Sequence, residues 1–142
     1  MSQLTGWICF IVLTAIAAVH VYWGLGGLWP AETEPELVRT VIGAEAAHMP
    51  PDDLTFVVAA LIFVAGCLAM MRGVFNWDSF LLLRLPLFGL ALIFLARGAI
   101  TYIPALFPPA TEPFGTLNAL YYSPLCLILA AAFGFLAVSE KR

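Results

Sequence analysis

Four long apolar runs constrain the fold of this chain more than any other feature of its sequence. A helix needs roughly 17 to 25 apolar residues to cross a bilayer. Four stretches reach that length: Leu4 to Leu28, Leu54 to Met71, Phe80 to Ile103 and Asn118 to Val138. The runs are continuously apolar, whereas apolar and polar residues alternate along the strands of a membrane barrel. The sequence therefore predicts an all-α, four-helix membrane bundle that occupies residues 1–142 as a single domain.

The composition supports this prediction and excludes one class of partner. The chain has 63% hydrophobic and 11% charged residues, far from the composition of soluble domains. Its net charge of -3 and its scattered basic residues offer no surface for nucleic acid. The first run has no basic segment before it and exceeds the usual apolar length of a signal peptide, so we interpret it as a retained span.

The loops contain further signals. In the long first loop, residues 29–53, Thr33-Glu34-Pro35-Glu36 is typical of a capping box. Leu37, Val38, Val41 and Ile42 follow at helical spacing, which predicts a short amphipathic helix on the membrane surface. Asp52 is an expected N-cap for the second span, and Phe107-Pro108-Pro109 predicts a rigid third loop.

The basic residues indicate the orientation of the chain. Lysine and arginine accumulate on the cytoplasmic side of membrane spans. Arg72 and Arg84 bracket the second loop, and Lys141 and Arg142 end the sequence, whereas the first loop has one arginine among six acidic residues. We therefore expect both termini in the cytoplasm and the first and third loops outside.

Three polar residues fall at one depth in these spans. His20, Arg97 and Cys126 lie six to eight residues from the predicted outer ends of spans one, three and four. At about 1.5 Å per residue, they are roughly 9 to 12 Å below the outer boundary. We expect one outward-facing cavity there.

Other residues that are expected to face away from lipid share a helix face with each of these three. On span one they are Leu13, Ala17, Gly24 and Gly27; on span three, Ile93, Thr101 and Pro104; on span four, Asn118, Tyr122 and Phe133. The small residues favour close helix packing around His20. Tyr102 is expected to line the cavity, and Glu45 and His48 to roof it.

Each candidate has two interpretations. Arg97 either binds a ligand or bonds a carbonyl freed ahead of Pro124 or a loop carboxylate, while Arg84 is close enough to the cytoplasmic end to snorkel. His20 is a candidate acid, base, proton relay or haem ligand, or an interhelical hydrogen bonder. Cys126 is a candidate nucleophile or a small apolar residue.

No cofactor is clearly encoded, and no metal site is predicted. Glu45-Ala-Ala-His48 has the Glu-x-x-His spacing of di-iron bundles, but those proteins need a second such motif and two further glutamates. A haem held by His20 and His48 has nothing in the sequence to fix both at one depth. Cys9, Cys67 and Cys126 fall at different depths, which implies no disulfide framework.

Three stretches resemble a known family. They are His-x-Tyr-Trp-x-x-Gly-Gly-x-Trp at 20–29, Arg97-Gly-Ala-Ile100, and Tyr121-Tyr-Ser-Pro-Leu-Cys126. Over nearly its whole length the chain is similar to the small bacterial four-helix membrane proteins grouped as domain of unknown function 3995. The resemblance implies a multi-pass protein of the bacterial inner membrane and implies no activity.

Three functions fit these features. One is an outer-leaflet site for a small hydrophobic or anionic molecule or a membrane lipid, either binding or catalytic, in which His20 or Cys126 would act on it. Another is a small dimeric transporter, although none of the four predicted spans contains the carboxylate that such exporters use. The third is a non-enzymatic accessory subunit.

Overall fold

The backbone of the chain is helical. The computed structural model describes residues 1–46, 48–103 and 110–140. Four of its helices are long and apolar enough to cross a membrane, and no strand occurs in these ranges. They are α1 (Ser2–Gly24), α3 (Asp52–Gly73), α4 (Phe80–Tyr102) and α5 (Phe114–Val138), with the short α2 (Glu34–Val41) between the first two. The all-α prediction with four spans is confirmed.

Some predicted features fall in parts of the chain that the structure does not describe. Pro104, the Phe107 to Pro109 loop, Lys141 and Arg142 lie outside the described residues. At the described ends, the helices differ from the predicted runs by at most four residues.

The first helix ends earlier than predicted. α1 stops at Gly24, four residues before Leu28, because the chain turns at Gly26, whose φ of 85° suits a residue without a side chain. Gly27 therefore does not continue the face of His20, and it packs against the ring of Tyr22 instead. His20 is four residues from the end of the helix, where the sequence predicted eight.

The spans form two pairs. α1 packs along α3, and α4 packs along α5. Glycines allow the first pair to approach closely: a Cβ added to Gly73 would lie 2.9 Å from the Cα of Gly6, and one added to Gly24 would lie 2.9 Å from the ring of Phe56. Small residues at such contacts are a common means of packing helices in membranes.

The second pair is joined by an aromatic stack and by a small residue. Phe94 of α4 stacks on Phe133 of α5 with 5.5 Å between ring centroids and 5° between planes. A Cβ on Gly98 would lie 2.9 Å from the carbonyl oxygen of Ser123. Both helices contain a π-turn, Phe80–Arg84 in α4 and Asn118–Tyr122 in α5. Each lies just ahead of a proline, which cannot donate the ordinary helical hydrogen bond.

The two ends of the bundle differ in packing. We call the half that contains Ser2, Gly73 and Ser139 the terminal half, and the opposite half, beside α2, the α2 half. The apolar core occupies the terminal half and the middle of the bundle. Its buried members are Cys9, Leu13, Ala65, Ala69, Leu87, Leu129, Phe133, Leu136 and Ala137.

The predicted short helix is present, with different end contacts. Leu37 and Val38 of α2 are buried. Thr33 stands at the N-cap without a capping side-chain bond, and Glu36 instead accepts from the backbone N–H of Glu32 at 3.1 Å. Asp52, the expected N-cap of the second span, is the first residue of α3.

Candidate functional site

A cavity of about 520 Å³ lies in the α2 half, between the two helix pairs. Four predicted site residues line it: His20, Arg97, Tyr122 and Cys126. The other lining residues are apolar or aromatic: Leu13, Ile16, Val19, Trp23, Trp29, Pro30, Val41, Ile62, Phe94, Leu125 and Leu129. The volume falls within the roughly 300–1,000 Å³ of sites that hold drug-sized molecules. A few polar groups in an apolar enclosure are the usual composition of such sites.

The ring of His20 is fixed by its own helix. Nδ1 lies 2.9 Å from the carbonyl oxygen of Ile16, and because a carbonyl only accepts, Nδ1 carries the proton and donates. In the neutral ring, Nε2 then has a free lone pair. The ring also contacts Trp23, with centroids 5.1 Å apart. Both residues border a second cavity of about 190 Å³ towards α3, so they stand between the two spaces.

Arg97 bonds to a partner other than those predicted. Its Nη2 donates to Oδ1 of Asn118 at 3.0 Å. In the described ranges it bonds neither a carbonyl ahead of Pro124 nor a loop carboxylate, so both predicted partners were wrong. Its Nη1 is buried and has no hydrogen-bond acceptor among the same residues. The guanidinium thus has one satisfied and one unsatisfied terminal nitrogen beside the cavity.

The Asn118 amide belongs to a small polar network between α4 and α5. Its Nδ2 donates to Oγ1 of Thr101 at 2.9 Å. The hydroxyl of Ser123 lies 2.7 Å from the same Oγ1 and 3.2 Å from Oδ1 of Asn118. Asn118 and Ser123 are fully buried. The π-turn brings them together, because the N–H of Ser123 bonds to the carbonyl of Asn118 five residues back.

Sequence reasoning placed Asn118 and Thr101 on the inward faces but did not join them to Arg97, and it missed Ser123. One available signal was that an amide, a hydroxyl and an arginine on neighbouring spans have few partners in lipid other than each other. The π-turn that aligns Asn118 with Ser123 had no such signal.

Tyr122 and Cys126 lie one helical turn apart on α5 and share the cavity wall. The ring of Tyr122 also contacts Phe114, at 6.0 Å between centroids. Cys126 is a free thiol, as are Cys9 and Cys67. A phenol and a thiol in an apolar wall supply weak donors to a polar ligand group.

Three predicted site residues lie away from this cavity. The hydroxyl of Tyr102 donates to the carbonyl of Ala119 at 2.7 Å. Glu45 lies 3.5 Å from Nε of Arg39. The Nδ1 of His48 lies 3.3 Å from Oε2 of Glu34. The cavity lining near α2 consists of Trp29, Pro30 and Val41.

The contacts of Glu34 hold the first loop together. Oε1 accepts from the N–H of Met49 at 2.8 Å, and Oε2 faces His48. These two contacts, the backbone bond first, hold the pKa of Glu34 below its ordinary value. Within the described part of the chain, no cluster of three or more His, Cys, Asp or Glu side chains could hold a metal ion.

The burial of another arginine, Arg72, was missed in the sequence. Arg72, interpreted there as a residue flanking a span, lies in the last turn of α3 and is only 1% exposed. Its Nη2 donates to the carbonyl of Ser139, the residue that caps α5. Its position near a helix end gave no sign of this burial.

Comparison with known proteins places the chain in a family. The profile of a family described as a protein of unknown function, DUF3995, matches residues 13–133. The matched range includes all four residues of the cavity's polar lining. No curated protein and no solved structure shows significant similarity to the chain. Because the match covers most of the 142 residues, this membrane-span-containing chain belongs to the DUF3995 family.

Proposed function

We propose that this protein binds a hydrophobic small molecule or lipid in the cavity between its two helix pairs. The observation that carries the proposal is the cavity itself, with about 520 Å³ of space and polar lining from His20, Arg97, Tyr122 and Cys126. An apolar ligand body gains contact with the lining, and a polar ligand group meets a guanidinium and an imidazole already held by other bonds. Such preorganisation lowers the cost of binding.

The site is proposed to open towards the outer leaflet of a bacterial inner membrane. The second-loop arginines Arg72 and Arg84 belong to the terminal half, and by sequence Lys141 and Arg142 follow α5. The positive-inside rule then puts the termini in the cytoplasm. Alkaline phosphatase fused in the first loop is expected to be active, whereas fusion after the C-terminus is expected to be inactive. The reverse pattern would contradict the orientation.

The binding proposal is tested with purified protein in nanodiscs of zwitterionic lipid. Thermal unfolding is measured with a panel of lipids, quinones and isoprenoids, and native mass spectrometry identifies molecules that stay bound. We expect at least one class to raise the unfolding temperature in proportion to the logarithm of its concentration. If no compound in the panel stabilises the protein or remains bound, the proposal is wrong.

A matched pair of variants locates the binding. Cys126→Phe places a ring in the cavity wall, and Ile128→Phe places the same ring two residues away, on a side chain that is 64% exposed. We expect Cys126→Phe to abolish ligand stabilisation and Ile128→Phe to retain it. Equal loss or equal retention in both variants would place binding outside the cavity.

A further inference from the structure

Among the described residues, the charge of Arg97 has no counter-charge. Arginine stays protonated in proteins, so this side chain brings a permanent cation to the cavity wall. Its bonded partner, the amide oxygen of Asn118, is neutral. Within the described residues, no ion pair includes Arg97. The ion pairs found there are Arg39 with Glu45, His48 with Glu34, and Arg84 with Asp78.

The sequence reinforces this charge imbalance. No Asp or Glu occurs between Asp78 and Glu112, or between Glu112 and Glu140, so α4 and α5 contain no acidic side chain. The residues outside the described ranges have none either. Placing a cation within a bilayer is energetically costly. A cation at a cavity without a counter-ion therefore favours a ligand that brings one.

The guanidinium is also held in place. Asn118 accepts from Nη2 of Arg97 while its own Nδ2 donates to Thr101, which fixes the direction of the amide. The buried hydroxyl of Ser123 also donates to Oδ1 of Asn118. Nη1 is left as a buried donor without an acceptor. A buried N–H without an acceptor is unfavourable, so this nitrogen adds to the cost of leaving the charge without a counter-ion.

We propose that the ligand is a hydrophobic anion: an apolar chain or ring system with a carboxylate or phosphate group that pairs with Arg97. Asn118 is a positioning residue, which holds the guanidinium without neutralising it. The lining residues other than the four polar ones accept the apolar body. This inference rests on the proposed function and adds the charge of the ligand to it.

The test compares ligands that share one chain and differ in charge. Dodecanoate, dodecyl phosphate and dodecanol are titrated into wild-type protein in phosphatidylcholine nanodiscs at neutral pH. Because a charge-assisted hydrogen bond is much stronger than a neutral one, both anions are expected to bind about tenfold or more tightly than the alcohol. The preference for dodecanoate is expected to fall when the pH drops below the pKa of its carboxyl group.

Two substitutions probe the charge directly. Arg97→Gln is expected to bring the anions and the alcohol to equal affinity. Asn118→Asp puts a carboxylate where the amide oxygen now accepts from Arg97. It is expected to weaken anion binding about tenfold and to leave dodecanol binding unchanged. Arg84→Gln removes an arginine paired with Asp78 in the other half of the bundle and is the control. It is expected to keep the wild-type preference.

The outcomes separate the two proposals. Equal binding of the three ligands by wild-type protein would overturn the anionic inference and leave the binding function standing. Failure of all three to bind, together with no stabilising compound in the wider panel, would overturn both. The wild-type comparison requires no variant, so it remains decisive if a substituted protein does not fold.

The anion has two sources, a membrane phospholipid or a free single-chain acid. Nanodiscs that contain phosphatidic acid, followed by native mass spectrometry, distinguish them. Phosphatidic acid that stays on wild-type protein but not on Arg97→Gln indicates a membrane lipid. Retention of dodecyl phosphate alone indicates a free acid. Either result supports the inference, and retention independent of Arg97 contradicts it.

Discussion

Two arginines, one fully buried and one partly buried, occupy the two halves of the bundle in different ways. Arg72 is 1% exposed in the terminal half and donates to the carbonyl of Ser139, at the C-terminal end of α5. Arg97 lines an open cavity in the α2 half and donates to a side-chain amide. Each has one guanidinium nitrogen without an acceptor among the described residues. The difference is what surrounds the charge.

The different surroundings of Arg72 and Arg97 indicate different roles for the two side chains. The C-terminal end of a helix carries partial negative charge, which stabilises a cation such as Arg72. Arg72 is also the largest of the fully buried side chains described, so it fills space in the terminal half. Arg97 is only partly buried, bonds to a neutral side-chain amide, and borders a cavity with space for a ligand. We therefore expect Arg72 to serve stability and Arg97 to serve binding.

The largest expected effect is the loss of stability on Arg72→Ala. The change removes the largest buried side chain and leaves the Ser139 carbonyl without this donor. We expect the free energy of unfolding to fall by about 2–5 kcal/mol. Thermal and denaturant unfolding in detergent, followed by circular dichroism, measures it. Anion binding by the remaining folded protein should be unchanged.

Arg97→Ala is the matched comparison for this substitution. It should cost less stability than Arg72→Ala, because the side chain borders a cavity, and it should abolish the preference for anions. Arg72→Met restores most of the lost volume without the hydrogen bond, and we expect an intermediate stability. Equal losses of stability and of binding in the two alanine variants would contradict the different roles assigned to Arg72 and Arg97.

The close approach of α1 and α3 gives the next largest effect. An alanine Cβ at Gly73 would lie 2.6 Å from the carbonyl oxygen of Ser2 and 2.9 Å from Gly6. Because both neighbours are backbone, they cannot rotate away, and Gly73→Ala is expected to destabilise by about 1–3 kcal/mol. Gly134→Ala in α5 meets nothing within 4 Å and is the control. It should be neutral or stabilising by up to about 1 kcal/mol. Unfolding temperatures measured in parallel test this, and an equal change in the two variants would contradict it.

Much of the fold, and part of the candidate site, could be predicted from the sequence. Hydropathy alone predicted the four spans, because lipid demands a long run of apolar residues from any helix that crosses it. Depth in the spans and helical phase together selected His20, Arg97, Tyr122 and Cys126, and all four line one cavity in the structure.

Other features depended on tertiary contacts that no local pattern encodes. Arg72 looked like an interfacial residue from its sequence position, and its burial depends on where α5 ends. Glu45 and His48 were expected to roof the cavity, but each is exposed and paired within the first loop. The partner of Arg97 depended on a π-turn that brings Asn118 and Ser123 together. Tertiary contacts, and in one case an irregular backbone turn, were therefore the main sources of error.

A substitution at the boundary between the two halves is expected to change the length of the cavity. Phe94 borders the cavity and stacks on Phe133 of the apolar core. Phe94→Leu should lengthen the cavity towards the terminal half and cost about 1 kcal/mol in stability. We expect the preferred ligand chain to lengthen, measured as the affinity for tetradecanoate relative to dodecanoate. Phe88→Leu changes a ring that is 39% exposed on the same helix and should leave this ratio unchanged. An unchanged ratio in Phe94→Leu would show that this ring does not limit the cavity.

The smallest expected effect is the pH dependence of the first loop beside the cavity. The pKa of Glu34 is lowered by the Met49 N–H and by His48, so the folded loop favours the carboxylate form. For a lowered pKa, this stabilisation is complete above the pKa of an unperturbed glutamate, about 4.3. It is lost as the pH falls through the lower pKa of the folded protein. Amide hydrogen exchange at Met49, corrected for the intrinsic effect of pH, should therefore show less protection near pH 3 than near pH 7.

Glu34→Gln should remove this difference, whereas Glu36→Gln, which affects the separate bond to Glu32, should retain it. Equal protection of wild-type Met49 at both pH values would show that Glu34 does not hold the first loop together.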